Sequence, residues 1–342
     1  MTPTIRDVAA KAGVSFQLAA AVLGEKKYAR ASEAARKRIA DAAHELGYVP
    51  NVSARILRGD ASRIIGVLID SRAPESTFSI LAEFEQAAAL RGYRILIAQA
   101  HDDPGKLLES YRSLKQNGVD GIVSFAHDYP LQNCHLDQLL KDDPRIVFAL
   151  NSNDPNGSNV EADIAGGMKT AIKHLIDNRY RKPALLLVNH SSEAEKLTRS
   201  RQRRLDGFRS CAPSESKVYF ITSKDDCAEE IAEQCGKLIR EKILPDRVDS
   251  VIAQNDNLAA ILMKELLAAG IRIPQDIGLI GWDNLLIGQC LPVTLTSLYY
   301  DKKQLAGSAL QLLTDKIEGK TDPVQLSFPL NLIIRQSTSK NT

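Results

Sequence analysis

Arg204, Asn255 and Asp283 are polar residues at, or just beyond, the ends of segments that read as β-strands. In parallel α/β sheets that edge is where ligands bind. Asp283 can accept from two neighbouring hydroxyls, Arg204 offers a two-pronged donor, and Asn255 both donates and accepts. Together they suit recognition of a small polar molecule. Trp282, the single tryptophan, serves either as core or as a stacking wall, and Phe78 is a candidate wall from the opposite lobe. Asp256 and Asn257 read as simple caps of the helix that follows. No reaction is indicated, because the chain lacks GxSxG, a Walker loop, HExxH, and GxGxxG after a strand. The glycine pair in DIAGG (163–167) opens a helix but has no partner lysine to make a phosphate loop.

A second chemistry lies at the other end of the chain. Residues 1–60 hold ten Lys/Arg against six Asp/Glu, while the remainder is mildly acidic. A basic head on such a body suits a polyanion at one end only. Thr4 with Asp7 reads as a capping box opening IRDVAAKA, and Ser15 caps FQLAAAVL, which ends at Gly24. Ser32 caps a third helix running to Leu46, with Gly47 after it. Two short helices around a turn at Gly13, supported by a third, make a helix-turn-helix pattern whose second helix reads DNA.

That second helix is unusually bare. Its helical phase turns Ala19, Val22 and Leu23 towards the first helix and Phe16, Gln17, Ala20, Ala21 and Gly24 towards the groove. Only Gln17 among these can hydrogen-bond a base, best an adenine edge. Ala20 and Ala21 can meet thymine methyls, and Phe16 a sugar or a methyl. The next stretch, VPNVSARILRGD, has Pro50 and Asn51 at one end and Gly59 at the other. Its helical part, 52–58, is far below the ~12–15 residues at which an isolated helix becomes marginal in water, so a partner must hold it. Within it, Arg55 and Arg58 suit phosphates, Leu57 suits a wedge between bases, and Ala54 sits beside them at the DNA. The plainer alternative for this stretch is an ordinary linker.

The totals set limits. The 342 residues exceed one ordinary domain, and 44% hydrophobic with 25% charged residues is usual for a soluble globular chain. No apolar run nears the ~20 residues that span a bilayer, and the N-terminus lacks a signal-peptide core, so the expected location is the cytoplasm. The five cysteines are odd in number and scattered, which predicts reduced thiols, no structural metal and no cofactor.

From Arg63 onward, apolar strands (RIIGVLI, RILIAQA, DGIVSFA, RIVFALN, PALLLVN, KVYFIT, SVIAQN, IGLIGW) alternate with amphipathic helices. That alternation predicts parallel sheets covered on both faces, in two lobes. The loops at 151–159, 291–294 and 319–325 read as the crossings. The expected division is a headpiece at 1–49, a hinge helix at 50–60 and a ligand-binding and dimerisation body at 61–342. Lobe 1 then comprises 61–158 and 293–320, and lobe 2 comprises 159–292 and 321–339.

TIRDVAAKAGVS, SEAARKRIADAAHELGYVPNVSARILRG, NGVDGIV, RRLDGF, AQNDNLAA and IPQDIGLIGWDN, in this order, resemble the lactose-repressor/galactose-repressor (LacI/GalR) transcription regulators over nearly the whole chain. The resemblance implies an all-α helix-turn-helix headpiece with a hinge helix, then an α/β, two-lobed, periplasmic-binding-protein-like body of type I that forms a homodimer. It places the effector at Arg204, Asn255 and Asp283, with Asp163 as a further ligand position. The departures fall where function is read. Leu18-Ala19-Ala20-Ala21 replaces the usual Thr-Val-Ser-Arg, Gly24 replaces an Asn, and Asn178-Arg179-Tyr180-Arg181 replaces Gly-His-Arg-Arg. The expectation is a regulator of operator DNA controlled by a sugar-like effector, with no enzyme activity and no membrane. Its rivals are a solute receptor, which the basic head disfavours, and an enzyme on a two-lobed fold.

Overall fold

The computed structural model describes residues 3–24, 30–49, 61–70, 73–100, 104–126, 142–150, 157–189, 197–223, 227–320 and 322–340. Met1–Ser62 and Arg63–Thr342 are separate units.

In the first unit, local signals set the helix limits. The helices are α1 (Ile5–Ala12), α2 (Phe16–Leu23) and α3 (Glu33–Glu45). Thr4, Ser15 and Ser32 are their N-caps, and Gly13 turns the chain between α1 and α2 with φ 63°. Val8, Ala12, Ile39, Ala42 and Ala43 form a small core onto which Leu18, Val22 and Leu23 pack. Ala19 is fully buried. A core this slight leaves helix capping a large share of the stability.

The second unit holds two six-stranded sheets. In chain order the elements begin with β1 (Ile64–Ile69), α4 (Glu75–Leu90), β2 (Arg94–Gln99), α5 (Pro104–Gln116), β3 (Gly121–Ser124), β4 (Ile146–Ala149) and β5 (Asn159–Ala162). There follow α6 (Ile164–Asp177), β6 (Pro183–Asn189), α7 (Arg199–Cys211), β7 (Lys217–Thr222) and α8 (Ala228–Leu238), which runs into a π-helical turn at Ile239–Ile243. The chain continues with β8 (Ser250–Ala253), α9 (Asp256–Ala268), β9 (Gly278–Trp282), α10 (Ile287–Cys290), β10 (Thr296–Tyr299), α11 (Lys302–Ile317), β11 (Gln325–Phe328) and β12 (Asn331–Ile333).

The first sheet runs β11-β5-β4-β3-β1-β2 and is parallel throughout. The second runs β12-β10-β9-β8-β6-β7, with β12 antiparallel at its edge. Central strands such as β1, β6 and β9 are buried on both faces, as helices on both sides require.

The lobe crossings differ from the sequence expectation. Residues 159–162 pair with β4 in the first sheet, so the first crossing falls at Asp163 and not within 151–159. Residues 296–299 pair with β9 in the second sheet, which moves the next crossing to 300–301. Residues 325–328 return to the first sheet beside β5 and 331–333 lie beside β10, so the last crossing is at 329–330. The turn-rich loops mark the approach to each crossing. The strands after them (NVEA, TSLY, QLSF, NLI) are short and half polar, with no apolar run to betray them.

Candidate functional site

Phe16 is 44% exposed and Gln17 is exposed, at the start of α2. Ala20 and Ala21 are half-buried, and Leu18 joins the packed face. The caps are well formed. Thr4 Oγ1 accepts from the Asp7 amide at 3.4 Å, and the Asp7 carboxylate takes the Thr4 N–H and O–H at 2.7 Å each. Those bonds hold the Asp7 carboxyl below the usual carboxylate range. Ser15 Oγ accepts from Leu18 N at 3.2 Å and Ser32 Oγ from Ala35 N at 3.3 Å. Arg6, Arg36, Lys37 and Arg38 are exposed, whereas Lys11 is engaged with Glu45 at 2.6 Å. Asn51, Ala54, Arg55, Leu57 and Arg58 lie outside the described residues.

In the body, a cavity of about 910 Å³ is lined from both sheets. Its wall is built from residues at the carboxyl ends of parallel strands. Asp70 follows β1, Phe125 follows β3, Leu150 follows β4, Gln254 and Asn255 follow β8, and Asp283 follows β9. This is the ligand edge of both sheets. Lobe 1 adds Ser76 and Thr77 from the first turn of α4, and lobe 2 adds Arg201 and Arg204 from α7.

Arg204, Asn255, Trp282 and Asp283 are thus brought together. Asp283 is 6% exposed and holds a left-handed backbone with φ 94°. Burial pushes its carboxyl up, while the charges of Arg204 and Lys302 and the Ser76 hydroxyl draw it back. The Arg204 guanidinium lies 4.5 Å from the centre of the Trp282 ring, a cation–π arrangement that orients it. Its Nη1 donates to Ser200 O at 3.2 Å. Trp282 is a core residue, 1% exposed, that also forms part of the cavity wall. Asn255 is the N-cap of α9, with Oδ1 accepting from Leu258 N at 2.9 Å.

Two expected contributors stand elsewhere. Asp163 is exposed and caps α6, accepting from Gly166 N at 2.9 Å, and does not line the cavity. The DIAGG glycines are structural too. A Cβ at Gly166 would overlap the Asp163 carboxylate, and one at Gly167 would strike Leu330. Phe78 is 39% exposed and absent from the wall. On α4 it points about 100° away from Thr77, so the first turn offers Ser76 and Thr77 instead.

Sequence reading missed Arg201 and Gln254. Arg201 is 6% exposed, and it donates from Nε to Gln254 Oε1 at 3.3 Å and from Nη1 to Thr198 Oγ1 at 3.1 Å. The only signal was an Arg at helical spacing from Arg204. Asp256 is also not the cap it resembled. It is fully buried, and that burial pushes its carboxyl up to about 7 despite bonds from Ser297 and Leu285.

A two-lobed α/β body with a cavity between its lobes stands in one chain with a helix-turn-helix unit, the pairing expected of a DNA-binding regulator. Residues 4–51 match the bacterial regulatory proteins of the lacI family, and residues 172–338 match the periplasmic binding protein-like domain. The HTH-type transcriptional repressor PurR of Photobacterium profundum is 27% identical, over 98% of this chain and 98% of its own. The lac repressor dimer bound to operator and the anti-inducer ONPF has the same fold, with a TM-score of 0.84, 22% identity and coverage of 99% of both chains. The transcriptional regulator CelR in complex with cellobiose has a TM-score of 0.68 at 23% identity, over 98% of this chain and 99% of its own. The chain thus carries a DNA-binding unit of the lacI family at residues 4–51, and over its whole length it is similar to transcriptional repressors. Among the described residues, no helix is long and apolar enough to cross a membrane.

Proposed function

We propose that this repressor acts as a homodimer whose DNA affinity is set by a small polar effector, a sugar or sugar derivative, bound between the lobes. The observation that carries this reading is the convergence of Asp283, Arg204 and Asn255 on one cavity from α7, β8 and β9. A buried carboxylate suits neighbouring hydroxyls, and the guanidinium and the amide add donors around them. The cellobiose complex of a protein with the same fold agrees with that chemistry. The Arg204–Trp282 cation–π pair also suits a planar heterocycle, so nucleobases and nucleosides belong in the same screen.

Effector binding changes lobe closure, and the change passes through residues 50–60 to the paired headpieces. A short segment near its folding limit is a suitable two-state element, because a few kcal/mol decide its state. On DNA, Gln17 reads a base edge while exposed Arg and Lys side chains hold phosphates.

The test joins a thermal-shift screen of sugars, nucleobases and nucleosides to a DNA-retardation assay on selected operator fragments. One class of small molecule stabilises the body and alters retardation, and log affinity for DNA falls steeply with log salt. Stabilisation by none of these classes would reject the effector chemistry. A monomer that retards no fragment at low salt would reject the DNA arrangement.

A further inference from the structure

Behind the turn that carries Asp283 lies a carboxylate that the cavity does not touch. Asp256 is the first residue of α9 and is fully buried. Its neighbours Asn255 and Asn257 line the cavity, but Asp256 itself does not. Leu285 N donates to its Oδ2 at 2.6 Å, and Ser297 Oγ donates to its Oδ1 at 2.7 Å. Ser297 Oγ in turn accepts from Asn284 N at 3.0 Å. The amides of the two residues after Asp283 are therefore both anchored on Asp256, one directly and one through a hydroxyl.

The anchored turn is one that the chain does not adopt freely. Asp283 and Asn284 have φ of 94° and 51°, and such left-handed pairs persist only where the surroundings impose them. Asp283 N is held by Leu298 O at 2.7 Å, and Arg335 Nη2 closes the far side on Asn284 Oδ1 at 2.7 Å. Strand β9 is cut to fit this arrangement, since a Cβ at Gly281 would overlap the Asp256 carboxylate and strike Leu295. A buried ionisable group is costly, and a neutral amide or hydroxyl could also accept one of these bonds. A carboxylate differs in having acceptors on both oxygens and, when ionised, no donor. It can therefore hold two converging donors in one orientation only.

We propose that Asp256 is a positioning residue. By anchoring the amides of Asn284 and Leu285 it keeps Asp283 in its left-handed, cleft-lining conformation, and so sets effector affinity without touching the effector. Because Asn255 directly precedes it, the same anchor fixes the spacing between two effector-facing groups. This rests on the reading of Asp283 as an effector-binding residue.

The experiment uses the full chain and has two arms. In the first, with no small molecule added, hydrogen exchange is followed for wild type, Asp256→Ala, Asp256→Asn and Ser297→Ala. Asp256→Ala speeds exchange at the 284 and 285 amides by at least about tenfold while β6 and β7 keep wild-type protection. Asp256→Asn lies between, and Ser297→Ala loosens 284 but spares 285. In the second arm, D-ribose, cellobiose and adenosine are titrated while the fluorescence of Trp282 is read. Asp256→Ala weakens whichever binds by at least about tenfold, and that loss disappears in an Asp283→Ala background. Unchanged protection at 284–285 in Asp256→Ala, or a loss spread evenly through the second sheet, would overturn the proposal. Should Asp256→Ala fail to fold, the selective effect of Ser297→Ala decides. If none of the three probes binds wild type, the effector chemistry is wrong, and the exchange arm still rules on Asp256.

Discussion

In the headpiece, each capping side chain is fixed by a partner three residues away: Thr4 by Asp7, Ser15 by Leu18, Ser32 by Ala35. In the cleft, Asp283 depends on Ser76, Arg204, Leu298 and, through its turn, Asp256, drawn from much of the chain. The headpiece scaffold thus asks little of its exposed positions, Phe16 and Gln17 among them. The bare α2 is consistent with that freedom. The cleft asks more, since Arg201 is tied to Gln254, Asn255 caps α9, and Asp283 is held among Arg204 and Ser76.

The contrast breaks most sharply at Gly281. Gly281→Ala overpacks the layer between β9 and α9, and is expected to destabilise the body by about 3 kcal/mol. Urea unfolding followed through Trp282, the single tryptophan, measures it. A loss under about 0.5 kcal/mol, the scale of a neutral surface change, would show that the cleft is as tolerant as the headpiece.

Next in size are Asp283→Ala and Arg204→Ala. Each removes a charged group from the cavity wall and is expected to weaken effector binding tenfold or more. The effector-free proteins should still retard operator DNA. Calorimetry with the stabilising molecule checks this, and unchanged affinity in both would mean that the cavity binds through other groups.

Gln17→Ala sharpens the other side. It is expected to flatten preference at one or two positions per half-site, at ~1–3 kcal/mol of discrimination. Selection of sites from random DNA reads this directly. Recovery of the parent operator by the variant would show that α2 reads no base.

The smallest effect is at the caps. Ser32→Ala is expected to cost the headpiece about 1 kcal/mol while leaving body unfolding unchanged. Headpiece amide exchange beside the Trp282 transition separates the two.

Legibility followed the same division. IRDVAAKA and FQLAAAVL carry their own start and stop signals, and the structure ends both helices where those residues say. The eight apolar strands were visible for the same reason, because runs such as PALLLVN state their burial on both faces. What stayed hidden depends on distant neighbours. NVEA becomes a strand because QLSF arrives beside it from far along the chain. Asp256 reads as a cap on paper, but Asn255 takes that place, and the approach of Ser297 and Leu285 holds Asp256 inward. Asp163 looked like a ligand residue by family position, yet its strand ends at a crossing where capping α6 takes its carboxylate.

The interleaved strands bear on how the protein is made. The first sheet opens with β1 near residue 64 and is completed only by β11 at 325–328, and the second is completed by β12 at 331–333. Neither lobe is a contiguous module, so a ribosome must release nearly all of the body before either sheet can gain its last strand. Until then both present an open edge at β5 and β10, the kind of surface that invites pairing with another nascent chain. Shortening the chain before β11 would strip a strand from both lobes at once, and the two halves of the cleft would lose their footing together.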